Sequence, residues 1–405
     1  MRPEEAWDLL EPHLLPLPPV SVDRRQALGR VLADPLPATV DVPGETVSAM
    51  DGYALSGGAE PGESRPVEGT IAAGDPPGAH LASGSAARIM TGAPVPSGAD
   101  RVVPVELTDG GAERVRIDRP VEVGANIRRR GEVMRRGDEL LPRGAQLGAG
   151  TLALVATHGH RRLSVHRPPR VAVLTTGDEV VDPDTDPAPG QLRDSHTDFL
   201  LAAGRGMGLE LEALGIAGDS VDSLEPLIRR GLASDVLLLG GGVSMGEFDL
   251  VEHVLADLDC EIVFDHVAIQ PGKPLVAARH SGGLVFGLPG NPASVMACFW
   301  LFVRPALRRL MGIDDRFWGG ALRARLDAEL PASKKRDRFL PANVRVSGGE
   351  LVATPRPPVG SHDLAAYGGG SALVRIPVSS AARPAGESCE ILPLGEWPPE
   401  STLAG

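Results

Sequence analysis

The chain is short of cysteine, lysine and aromatic side chains, and the scarcity of cysteine removes a class of explanation. Its three cysteines, Cys260, Cys298 and Cys389, stand far apart with no CxxC spacing. That argues against a disulfide framework or a cysteine zinc site and predicts buried thiols. Lysine occurs only at 273, 334 and 335, so nearly all basic residues are arginine, a bias we read as genome composition. No apolar run approaches the ~20 residues of a membrane span. The N-terminal MRPEEAWDLL is acidic and amphipathic, unlike a secretory leader. A soluble, cytoplasmic protein is expected, without a membrane association. The formal net charge of −13 argues against nonspecific binding to nucleic acid or to an anionic membrane.

What is present is a chain of 405 residues, 42% hydrophobic, which is long enough for about two to four domains. Gly (50) and Pro (38) are abundant but form no low-complexity tract, so they predict turns rather than disorder. Residues 4–15 read as an amphipathic helix with Ala6, Leu9, Leu10 and Leu14 on one face. A second helix is expected over 21–33, starting on a serine cap. Residues 44–134 change texture to short apolar pairs between Gly, Pro and Asp, a small hairpin-rich β domain. Mixed helix returns over 138–166, with 144–159 the clearest. The β domain is therefore read as an insertion into a helical linking domain formed by 1–43 and 135–166.

From 167 to 315 strands alternate with helices. VAVL, LGIAG, DVLLLGGG, CEIVFDHVAI and GGLVFGL read as strands. The helices expected between and after them start near 195, 221 and 243, and a long one runs over 292–311. That rhythm predicts a parallel sheet with right-handed crossovers in a three-layer α/β domain. Residues 316–405 return to short strands, a C-terminal β-barrel-like domain.

Ligands on such sheets sit at the carboxyl ends of the strands. Here those ends carry Thr175–Glu179, Asp219, 240-GGGVSMGEFD-249, 270-QPGKP-274 and 288-LPGNPAS-294. Glycines admit a ligand to the backbone, and exposed N–H groups favour anions. Glu179, Asp219 and Asp249 have the chemistry to hold Mg²⁺ against phosphate, and Lys273 supplies a positive charge. Taken singly, GGG, PGKP and LPGNP also read as tight turns, Asp219 as a residue near a helix cap, and Asp178 and Glu179 as solvated. It is their convergence on one rim that suggests a phosphorylated ligand with a metal. Neither a P-loop nor GxGxxG is present. The insertion adds SAMDGYAL (48–55) and RIMTGAPVPSGADRVVPVE (88–106).

SAMDGYA, RIMTGAPVPSGAD, ANIRRRGE, TTGDE, GGVSMGEFD, QPGKP and GLPGNPAS occur in this order. Together they strongly resemble the molybdopterin molybdenumtransferase family, the MoeA, gephyrin E and Cnx1 E domains, over nearly the whole chain. The resemblance implies an elongated homodimer that takes adenylylated molybdopterin and molybdate. It would release AMP with Mg²⁺ and leave molybdenum on the pterin, with the molybdopterin adenylyltransferase as a partner. It implies Asp51, Thr91, Glu179, Asp219 and Asp249 as catalytic residues, the last three as metal ligands, with Asp51 and Thr91 facing the other subunit's carboxylates. Thr176, Gly177, Asp178, Gly241, Gly242, Ser244, Lys273, Pro274, Pro289, Asn291, Pro292, Ser294 and Ser361 are then expected to bind substrate.

Three departures stand out against the family pattern. Val133 replaces a carboxylate in GEV, with Asp138 nearby. Gln270 replaces a lysine. Pro341 stands where an arginine follows the aromatic Phe339, with Arg338 beside it. An alternative reading follows from them: a catalytically weakened paralogue that binds molybdopterin or molybdate for storage or regulation.

Overall fold

The computed structural model describes residues 1–58, 60–242 and 250–395. They form two compact units, one of residues 1–21, 29–33 and 164–405, the other of 22–28 and 34–163.

The first unit is organised by a six-stranded sheet. Its order is Leu211–Ala217, Val171–Thr176, Val236–Gly240, Gly283–Leu288, Val276–His280, Glu261–Phe264. The first four strands are mutually parallel, as expected. The last two continue the sheet antiparallel, and Val276–His280 is a strand that the sequence reading did not separate. Both faces are buried, and the side chains divide by parity. Val171, Val173, Val236, Leu238 and Phe286 enter one core, while Ala172, Leu174, Leu237, Leu239 and Val285 enter the other. Each fully buried Leu, Val or Phe contributes roughly 1.5–3 kcal/mol, so a one-residue slip of any central strand would exchange its two core faces.

The helices His196–Gly206 and Val221–Gly231 lie close to the expected positions. After residue 243 a helix is described over Leu250–Asp257. The long terminal helix is interrupted: Pro292–Cys298 and Arg304–Leu310 flank a π-helical turn, Phe299–Val303. Pro305 supplies no N–H, and the wider turn accommodates the missing bond. The N-terminal helix is Pro3–Leu10. It buries Ala6, Trp7, Leu10 and, just beyond, Leu14 in the first core, whereas Leu9 is 47% exposed.

Five strands, Leu322–Leu326, Asp337–Ser347, Glu350–Pro355, Ala372–Ile376 and Ser388–Pro393, close on themselves as a barrel. A two-residue strand, Ile269–Gln270, runs parallel to the start of Asp337–Ser347. The three cysteines are free and buried.

The second unit carries a five-stranded sheet ordered Arg101–Pro104, Gly52–Leu55, Ala86–Ile89, Ser64–Ile71, Arg114–Arg116. Of the helix expected over 138–166 only Ala149–Thr157 is helical, between the strands Glu139–Leu141 and Arg162–His166. The helix expected over 21–33 is absent. Residues Pro19–Asp23 are a strand, Arg24–Gln26 a single 3₁₀ turn capped by Asp23, and Gly29 lies at φ +76°. A left-handed residue there cannot continue a right-handed helix, and Val20 and Val22 favour the strand. No helix among the described residues is long and apolar enough to cross a membrane.

Candidate functional site

The four parallel strands end level: Thr176 pairs with Ala217, Thr175 with Gly240, and Gly240 with Leu288. The chain leaves each end into a motif singled out in the sequence, and two cavities open along this rim.

One cavity, of about 410 Å³, is lined by Thr176, Gly177, Glu179, Asp219, Gly241, Gly242 and Pro292, as well as Asp194, His196 and Gly290. Gly241 and Gly242 have φ of +104° and +68°. A Cβ at 241 would lie 2.6 Å from the Thr176 carbonyl oxygen, and one at 242 would lie 2.7 Å from Thr176 Oγ1. Only glycine gives this turn both its conformation and its proximity to the neighbouring strand. Thr176 Oγ1 is buried without a hydrogen-bond partner among the described residues, as is His196 Nδ1. Burial lowers the pKa of His196, although Asp194 opposes the shift.

Asp178 and Asp219 clasp each other's backbone. The Asp219 N–H donates to Asp178 Oδ1 (2.9 Å), and the Asp178 N–H donates to Asp219 Oδ2 (3.3 Å). Asp178 thus supports Asp219 and is not itself on the cavity wall. The cap of Val221–Gly231 is Ser220, which leaves Asp219 ahead of the helix and on the cavity. The Glu179 side chain makes no hydrogen bond or ion pair with a described residue. Ser244 and Asp249 lie outside the described residues. Among those that are described, no group of three His, Cys, Asp or Glu is placed to hold a metal.

The second cavity, of about 670 Å³, has the opposite character. Lys273, Pro274, Pro289, Asn291, Ser294 and Ser361, all expected to bind substrate, line it, and so do Gln270, Lys334, Lys335, Arg336 and Arg338. All three lysines of the chain therefore meet in one place, with two arginines and, among the described residues, no lining carboxylate. None of the five cations forms an ion pair with a described carboxylate. Lys334, Lys335 and Arg336 were passed over in the sequence, where the scarcity of lysine was itself the available signal. Pro341 is buried and does not line the cavity, whereas Arg338 does.

The loop 289–294 divides the two cavities by alternation. Gly290 and Pro292 face the carboxylate-lined one, and Pro289, Asn291 and Ser294 face the cationic one.

In the second unit, antiparallel pairing of Gly52–Leu55 with Ala86–Ile89 sets Gly52 opposite Ile89. Asp51, one residue outside that pair, and Thr91, two residues outside it, therefore meet. Asp51 Oδ1 accepts the Thr91 N–H at 2.6 Å and the Thr91 hydroxyl at 2.7 Å. These bonds hold the exposed Asp51 carboxyl below its ordinary pKa, the backbone N–H first. Val133 is 72% exposed. Asp138 does not substitute for the missing carboxylate in any visible way, because it closes its own turn by accepting the Arg135 N–H at 2.8 Å.

Comparison with known proteins gives this arrangement a family. The family models match in succession: the MoeA N-terminal region (domain I and II) over residues 1–159, a probable molybdopterin binding domain over 172–309, and the MoeA C-terminal region (domain IV) over 323–394. A molybdopterin molybdenumtransferase of Nostoc sp. is 37% identical over 81% of this chain and 78% of its own length. Molybdopterin molybdenumtransferase 2 of Mycobacterium tuberculosis is 35% identical over 89% of this chain and 91% of its own. A solved molybdopterin biosynthesis MoeA protein from Pyrococcus horikoshii superposes with a TM-score of 0.82 at 30% identity, covering 98% of this chain and 100% of that one. Fold and comparisons define a transferase of molybdenum cofactor biosynthesis, built around an α/β domain of the probable molybdopterin-binding type. The chain belongs to the molybdopterin molybdenumtransferase family.

Proposed function

We propose that the chain inserts molybdenum from molybdate into adenylylated molybdopterin with release of AMP, and that the two rim cavities divide the substrates. The observation that carries this reading is the 289–294 loop, whose successive residues line a carboxylate-bearing cavity on one side and a cationic one on the other. A phosphorylated pterin suits the first. Its backbone-lined glycine turn and the Thr176 hydroxyl, which has no partner among the described residues, offer close approach and a hydrogen bond. The tetrahedral dianion molybdate suits the second.

Two unit charges about 4 Å apart attract by roughly 4 kcal/mol at an effective dielectric of 20, against about 1 kcal/mol in water. The half-buried Lys273, beside the buried Ser294, is therefore the stronger anion contact, and the exposed Lys334 and Lys335 the weaker.

The pyrophosphate bond to AMP concentrates negative charge beside Glu179 and Asp219, two carboxylates that cannot face phosphate alone. That donor set fits a divalent cation such as Mg²⁺, held by Glu179 and Asp219 with Asp249 as the further expected ligand. When bound, the ion would neutralise the phosphate oxygens. Asp178 fixes Asp219 through the reciprocal backbone bonds, and the glycine turn positions the pterin end. The Asp51–Thr91 pair is an ionised carboxylate beside a hydroxyl, and we assign it to the same reaction in a homodimer, contributed by the other subunit. A cytoplasmic location and a handover of the adenylylated pterin from its adenylyltransferase complete the proposal.

A single-turnover assay with adenylylated molybdopterin, molybdate and Mg²⁺ tests it. AMP release that requires molybdate and yields a metallated pterin is the expected result. Tight pterin binding with no AMP release would instead assign the chain to storage or regulation.

A further inference from the structure

The short strand Ile269–Gln270 runs parallel to the first residues of Asp337–Ser347, with Gln270 in register with Arg338. In a parallel pair, residues in register project to the same side of the ladder. Here both side chains line the cationic cavity. Gln270 brings a neutral amide, and Arg338 a planar guanidinium with a fork of N–H donors.

The protein leaves that guanidinium uncommitted. Its only hydrogen bond to a described residue is a long one, from Nη1 to the Ala332 carbonyl at 3.4 Å, and its Nε is buried without a partner among the described residues. The adjacent Asp337 is already engaged by Arg375. A planar fork of donors beside a neutral amide is suited to two oxygens of a tetrahedral oxyanion.

We propose that Arg338 is a direct oxyanion-binding residue, and that the Gln270–Arg338 register pair places one charge where a lysine at 270 would otherwise have placed it. This inference rests on the assignment of the cavity to molybdate.

Isothermal titration of the full-length protein with molybdate, at fixed ionic strength, tests both. Arg338→Gln should weaken binding tenfold or more. Adding Gln270→Lys to it should recover most of the loss, because the charge returns to the same wall from the neighbouring strand. Gln270→Glu approaches the question without altering Arg338. A carboxylate beside the guanidinium should neutralise it and again cost tenfold or more, which keeps the test decisive if the Arg338 variants fail to fold. If the native protein binds molybdate and Lys273→Gln weakens it, while Arg338→Gln or Gln270→Glu leaves affinity unchanged, the inference is wrong and the cavity assignment stands. If the native protein binds no molybdate, both fall together.

Discussion

Asp51 Oδ1 accepts two hydrogen bonds from one residue, the Thr91 N–H and the Thr91 hydroxyl. Their joint effect is to lower the Asp51 pKa. Thr91→Val keeps the shape and the N–H but removes the hydroxyl. The Asp51 pKa should rise part of the way back toward the ordinary value of ~3.9, as read by a carboxyl NMR titration. An unchanged titration would assign the effect to the backbone alone. The sign matters for the enzyme. A lowered folded-state value favours the native state above the unfolded pKa, and that gain is lost as pH falls through the folded one. Asp51 is thus fully ionised at neutral pH and should place no step in the rate profile there.

Glu179 lines the cavity yet touches no described polar partner, so it has little structural work to lose. Glu179→Gln should leave the thermal unfolding midpoint within the scatter of an ordinary surface substitution, about ±0.5 kcal/mol. AMP release should fall by roughly 10²–10³, the scale seen when an electrostatic contact to a transition state is removed. Equal losses of stability and rate would make Glu179 a structural residue.

Gly241→Val is expected to fail twice. The residue would be forced to φ +104°, and its Cβ would sit 2.6 Å from the Thr176 carbonyl oxygen. Backbone strain alone costs about 1–3 kcal/mol, measurable by denaturant unfolding, and pterin binding should be abolished. Native stability together with native pterin affinity would remove this turn from the site.

Away from the rim, Asp235 is buried and accepts two short bonds from Arg167, at 2.6 and 2.7 Å, plus the Arg170 N–H at 2.7 Å. Burial pushes its pKa up, but the two arginines outweigh it and the net shift is downward. Asp235→Ala should cost roughly 1–3 kcal/mol at neutral pH. Because the stabilisation exists only while the carboxylate is ionised, the gap between native and variant should close as pH falls below about 4. A pH-independent gap would point to lost packing instead.

The parts of the structure legible in the sequence are those with a local physical signature. The central strands Val171–Thr176, Val236–Gly240 and Gly283–Leu288 are apolar runs buried on both faces, and each runs on into Gly or Pro, so their carboxyl rim is legible in the sequence. Expectations failed where a local pattern competes with a backbone requirement. Gly29 breaks an otherwise helical stretch, and Leu9 is exposed although its spacing matches Leu10 and Leu14. The cationic cavity was only half visible. Lys273 stood in a recognisable loop, but Lys334, Lys335, Arg336 and Arg338 reach the same space through barrel closure and the two-residue pairing at Gln270, which no local pattern encodes. Asp178 is expected among the ligand contacts; in the structure it accepts the Asp219 N–H and does not line the cavity.

Every ε-amino group in the chain belongs to the cationic cavity. An amine-reactive reagent, which on most proteins decorates the surface at random, has here one address besides the chain terminus. Acylation would erase three positive charges from a single wall, and the rate of that labelling would report, with no engineered probe, whether the wall is covered.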